Sequence, residues 1–151
     1  MNGASVLAWI VGAGYVAGFL ILTALAARRA GRSLWLFDAP GQALPAWGFR
    51  LVFVALVLAP ALRLGWSESW LFPALAVVGA GGALMAQAYM GLSWRIGAAT
   101  DQLGPLVKGG PFAWSRNPVF VGQSLLVWAL VPTVGLPMLA AAVVHTLSVR
   151  R

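Results

Sequence analysis

Apolar residues in this chain come in long, nearly unbroken runs. The strict alternation of a half-buried strand and the 3.6-residue stripe of an amphipathic helix are both missing. Residues 4–27 carry no charge; as a helix they reach about 36 Å, more than the roughly 30 Å hydrocarbon core of a bilayer requires. A cleaved signal peptide is the competing reading of this segment. Against it, no Lys or Arg precedes the apolar run, and Arg28, Arg29 and Arg32 follow it. A second run covers residues 47–64, includes Pro60, and holds Arg50 and Arg63 near its two ends, where long side chains snorkel towards headgroups. The third covers residues 70–92. After a polar stretch, residues 93–118, the final apolar run extends to Val149 and is broken by Pro132, Gly135 and Pro137. Two prolines around a glycine predict a turn between helices of about thirteen residues, each roughly 20 Å long. One kinked helix is the alternative.

The placement of Lys and Arg decides between these readings, because cytoplasmic loops gather them. Five spans with an outside N-terminus collect Arg28, Arg29, Arg32, Arg50, Arg95, Lys108, Arg116, Arg150 and Arg151 inside. Only Arg63 is left outside, beside the turn that carries Glu68. Four spans would put Arg150 and Arg151 on the wrong side. The eight Trp also fall near the expected span ends. The pattern therefore predicts an all-α, polytopic membrane helix bundle. It has about five transmembrane helices, at 4–27, 47–64, 70–92, 119–131 and 137–149, the last two forming a short hairpin. Residues 1–151 form a single domain with the loop 93–118 at the inner face and the lipid bilayer as its first partner.

Composition supports a membrane setting. Of 151 residues, 61% are apolar and 9% charged, where a soluble domain has roughly a quarter charged. A net charge of +7 raises the question of nucleic acid, but the bases flank apolar runs and are read as topology determinants, with no nucleic-acid partner. Cysteine is absent, which excludes a thiolate nucleophile, an iron–sulfur cluster and a Cys-ligated zinc site. His145 is the only histidine and has no carboxylate near it in sequence, so no metal is expected. Asp38, Glu68 and Asp101 all fall in loops, and no Asp, Glu or Lys stands in the middle of an expected span, which argues against a pump or ion carrier. Small residues recur four apart at Gly14 and Gly18, Gly79 and Ala83, and Gly82 and Ala86. These allow close helix packing within one chain or between two, and oligomeric state stays open.

Candidate chemistry concentrates in the loop before the fourth span. Asn117 followed by Pro118 predicts a helix start, with Asn as cap and Pro in the first helical position. The positive end of that helix dipole then faces the inner surface beside Arg116, a setting that stabilises an anion. Lys108-Gly-Gly is not a phosphate loop, because its Gly, Lys and hydroxyl residues come in the wrong order.

The stretch from Leu106 through Gly110, Pro111 and Phe112, followed by Arg116, Asn117, Pro118, Phe120 and Gly122, resembles a known pattern. It is that of the membrane-embedded isoprenylcysteine carboxyl methyltransferase and phospholipid methyltransferase group, Leu-Val-x-x-Gly-Pro-Tyr/Phe and then Arg-His-Pro-x-Tyr-x-Gly. The resemblance covers roughly residues 91–151, including the segment from Gly91 to Arg95. Asn117 and Phe120 stand where the family has His and Tyr. The chain stops at Arg151, ahead of the family's Glu-Glu-x-x-Leu and Phe-Gly-x-x-Tyr segment, so the resemblance implies a truncated or degenerate member. The resemblance implies an integral membrane protein of the bacterial inner membrane, with its C-terminus cytoplasmic, that transfers the methyl group of S-adenosylmethionine to a lipidic or small apolar acceptor. It implies cofactor contacts from Leu106, Gly110, Pro111, Arg116, Asn117, Pro118, Phe120, Gly122 and His145, and substrate contact from Arg95. The rival expectations are an NADPH-dependent membrane reductase with a similar helical core and a non-catalytic membrane scaffold.

Overall fold

Asn2 caps the first helix, its side chain accepting a hydrogen bond from the Ser5 amide at 2.8 Å, and α1 runs Gly3–Ala30 until Gly31 turns the chain with φ of 63°. In the computed structural model, which describes residues 2–35, 43–62, 64–96 and 107–149, four more helices follow. They are α2 (Ala43–Leu58), α3 (Leu71–Met90), α4 (Pro118–Val134) and α5 (Leu136–Val149). Arg63, Arg150, Arg151, Asp38, Asp101 and Leu106, to which topology or loop roles were assigned above, lie outside the described residues.

The expectation of five transmembrane helices is overturned. Among the described residues only Gly3–Ala30 and Leu71–Ser93 combine the length and apolarity needed to cross a bilayer; these residues form an all-α bundle of five helices, two of them of spanning length. Local backbone chemistry limits the second run and divides the last one. Around Pro60 the second run tightens into a 3-10 turn, Ala59–Leu62, leaving α2 with 16 residues, or about 24 Å. Gly135, with φ of 92°, separates α4 from α5, leaving 17 and 14 residues, or about 26 and 21 Å. Less than half of the most apolar stretch of either long helix is buried in the protein, 28% in α1 and 39% in α3. Ile10, Ile21, Val78 and Met85 on these helices are exposed. Apolar surface of this extent suits association with a membrane.

Contacts along the helices fix their directions. Trp9 of α1 donates its indole N–H to the Val57 carbonyl near the end of α2 (3.0 Å), and Phe19 meets Phe49 near the start of α2 (ring centroids 5.2 Å apart), so α1 and α2 are antiparallel. Helix α3 runs parallel to α1, since Gly3 meets Trp70, Gly18 meets Leu84, and Thr23 bonds Gln87. Helices α3 and α4 pack backbone to backbone: a Cβ on Gly122 would stand 2.6 Å from the Ala83 nitrogen and 2.7 Å from the Gly79 carbonyl oxygen. The α4–α5 hairpin is held at its tip by the chain after α2. There the Trp66 and Ser67 amides both donate to the Pro132 carbonyl at 3.0 Å. One end of the bundle thus carries Asn2 and Glu68, hydrogen-bonded at 2.8 Å, and the other carries Arg28, Arg29, Arg95, Lys108 and Arg116.

Uncharged polar groups are buried between α1, α3 and α4. Gln87 donates to the Phe19 carbonyl (3.0 Å) and to Thr23 Oγ1 (2.9 Å), and Thr23 Oγ1 also accepts the Trp94 indole N–H at 3.0 Å. Gln123 donates to the Tyr15 hydroxyl at 2.6 Å. Inside an apolar bundle such bonds fix helix register, because any slip leaves an amide without a partner. Replacing Tyr15 with Phe is expected to lower unfolding stability by about 1 kcal/mol, measured by thermal or denaturant unfolding in detergent. An unchanged midpoint would show that Gln123 needs no such partner.

Candidate functional site

The segment ahead of α4 is shaped by short-range hydrogen bonds. A 3-10 turn, Gly110–Ala113, is followed by the Asn117 amide donating to Ser115 Oγ at 3.2 Å. Asn117 caps α4 with its side-chain oxygen on the Phe120 amide, a long bond of 3.4 Å, and Pro118 takes the first helical position. The Asn-Pro pair thus starts the helix as sequence rules predict, and the first turn points its positive dipole end at the basic end of the bundle. Arg116 and Asn117 are exposed there. Trp114, 93% exposed, stands two residues before Arg116.

Phe120 and His145 come together although 25 positions separate them in sequence. The ring of Phe120 meets the imidazole edge-on at 6.1 Å between centroids, and His145 Nε2 is 3.2 Å from Ser124 Oγ, one turn further along α4. His145 is buried while Phe120 is partly exposed, so the aromatic ring forms the outer wall of this corner and the imidazole its floor.

Other residues assigned by sequence have different neighbours. Gly122 is buried against α3, and its missing side chain is what lets the two helix backbones touch. Gly110 has φ of 57°, and a Cβ there would stand 2.7 Å from the Tyr89 ring of α3. Together with the stacking of Phe112 on Tyr89 (6.4 Å, 25°), this docks the turn that contains Pro111 onto α3. Arg95 is half-buried in a strip that the Ile96 amide ties to the Leu34 carbonyl at 2.9 Å, beyond the end of α1. Leu106 lies outside the described residues.

Sequence reading missed two groupings. The first is the buried set of Tyr15, Thr23, Gln87 and Gln123, where Gln87 Oε1 has no partner among the described residues. Its signal was present: Thr23, Gln87 and Gln123 are polar residues set within apolar runs. The second is a cavity of about 340 Å³ lined by Trp35, Phe49, Arg50, Phe53 and Val54. Its aromatic residues come from two separate segments, and no spacing rule links them. Among the described residues no cluster of three or more His, Asp or Glu offers a metal site. No family model matches the chain, and no curated protein or solved structure matches it.

Proposed function

We propose that the protein is a membrane-associated methyltransferase that uses S-adenosylmethionine and acts on a lipidic or small apolar acceptor. The observation that carries this reading is that Arg116, Asn117, Pro118 and Phe120, the residues that resemble the methyltransferase motif, gather at the start of α4, with Phe120 against His145. The donor chemistry fits the cofactor's polar end. The Arg116 guanidinium and the positive end of the α4 dipole suit a carboxylate, and the flat, partly exposed Phe120 suits a purine. Gly110 and Pro111 act at one remove, by docking the turn on Tyr89. On this reading the positive charge at this end faces the cytoplasm, in keeping with the excess of Lys and Arg in cytoplasmic loops.

When bound, the cofactor supplies a methyl group already activated by its sulfonium. The chain's own task is then orientation and exclusion of water. Arg116 and Asn117 fix the carboxylate end, Phe120 holds the nucleoside, and His145, kept in place by Ser124, closes the inner wall. Methyl transfer to a nucleophile needs few titratable groups, and this corner has few.

Binding to the purified chain in detergent tests the reading. S-adenosylmethionine is expected to bind saturably and to raise Tm more than NADPH does. Arg116→Ala and Asn117→Ala should weaken binding by about tenfold, the loss of one charge-assisted or capping contact. Wild-type affinity in both variants overturns the site. Preference for NADPH points to a reductase, and binding of neither with copurification of a partner points to a scaffold.

A further inference from the structure

We propose that the groove between α2 and the segment at Trp35 is a binding site for an anionic phospholipid, with an acyl chain along Trp35, Phe49 and Phe53 and the headgroup phosphate on Arg50. The groove is separate from the corner at the start of α4, and the inference does not depend on methyl transfer.

Its volume, about 340 Å³, is within the range of small-molecule cavities. The walls are built in advance. Phe49 and Phe53 pack at 4.1 Å with their rings tilted by 37°, Trp35 meets Phe49 at 6.3 Å, and Phe19 behind the groove meets Phe53 edge-on at 5.1 Å. Four of the five lining residues are apolar or aromatic, and the fifth is Arg50, whose guanidinium is steadied at 5.2 Å from the Trp47 ring.

Charge and surface together select the occupant. The chain holds three acidic residues. Glu68 is the one among the described residues, and it is at the far end of the bundle on Asn2. Among the described residues Arg50 has no acidic partner and is exposed, so its charge can meet an external anion. It stands about 10 Å along α2 from the basic end, and Leu51, Val54 and Leu58 extend an exposed apolar flank beyond it. A water-soluble anion would leave that flank and the aromatic walls uncovered. An amphiphile satisfies both, with hydrocarbon against the rings and phosphate in a charge-assisted hydrogen bond to the guanidinium.

The test is the Tm of the full chain in detergent, titrated with phosphatidylglycerol, phosphatidylcholine or inorganic phosphate and read against each variant's own lipid-free Tm. Phosphatidylglycerol is expected to raise Tm by several degrees and phosphatidylcholine by much less. Arg50→Gln should abolish the difference between the two lipids. Val54→Trp, at an exposed position on the groove, should reduce the phosphatidylglycerol increment while keeping the charge. An undiminished increment in Arg50→Gln, equal increments from both lipids in the wild type, or full stabilisation by inorganic phosphate alone would overturn the proposal.

Discussion

Replacing Gly122 with Ala is expected to separate α3 from α4 and to lower unfolding stability by about 2–3 kcal/mol, with Gly122→Leu failing to fold. The added Cβ would meet the Ala83 nitrogen at 2.6 Å and the Gly79 carbonyl oxygen at 2.7 Å, both backbone atoms that cannot swing aside. Gly79→Ala should behave alike, since its Cβ would meet the Leu126 nitrogen at 2.5 Å and the Gly122 oxygen at 2.7 Å. The double variant should lose less than the two singles combined, because one displacement of the helices relieves both clashes. Gly81→Ala and Gly82→Ala are the controls. Nothing stands within 4 Å of a Cβ at either position, and removing a helix-interior glycine should be neutral or add up to about 1 kcal/mol. Unfolding midpoints of the five variants in one detergent decide the matter, and equal effects at 81 and 122 would refute the close α3–α4 contact. The same result bears on the methyltransferase reading: lost cofactor binding in Gly122→Ala reports helix separation, so Arg116 and Asn117 are the positions that test the corner itself.

The second large effect belongs to Gly135. Its φ of 92° is one that a side chain strains to adopt, and a Cβ would run into the Leu64 backbone carbonyl and the Leu64 side chain. Ala at this position should destabilise by about 2–4 kcal/mol, the sum of backbone strain and overpacking. Local unfolding should follow, seen as faster amide exchange at Trp66 and Ser67, whose N–H groups are held by the Pro132 carbonyl beside the turn. A Gly135→Ala variant with wild-type stability and protected amides at both positions would show that the hairpin tip does not rely on this close fit.

These two glycines mark where sequence reasoning stops. Prolines around Gly135 made a turn legible, and the Asn-Pro pair made the start of α4 legible, because both act through the local backbone. The resemblance makes Gly122 a cofactor contact, but what approaches it is α3, on the far side of the 93–118 loop. Hydropathy gave the helices their identity and overestimated how many reach membrane length. A run of apolar residues measures composition, while the length of α2 depends on the 3-10 turn at Ala59–Leu62, which shortens the helix without changing the hydropathy of the run. At the candidate corner, Arg116, Asn117 and Phe120 are neighbours in sequence at the start of α4. His145 joins them only because the hairpin folds back.

By itself, then, the sequence determined an all-α chain of apolar helices, their approximate limits, the capped start of α4 and the gathering of basic residues near helix ends. All of these follow from short-range rules of helix formation and from the dislike of charge for hydrocarbon. The tertiary structure decided which helices touch. It set Gly79 against Gly122, joined Thr23 to Gln87 and Tyr15 to Gln123, brought Phe120 to His145, and opened an aromatic groove with Arg50 at its rim. Helices that are apolar on nearly every side carry no stripe to say which face turns inward. That choice falls to small residues that admit a neighbouring backbone and to the few polar groups that must find each other.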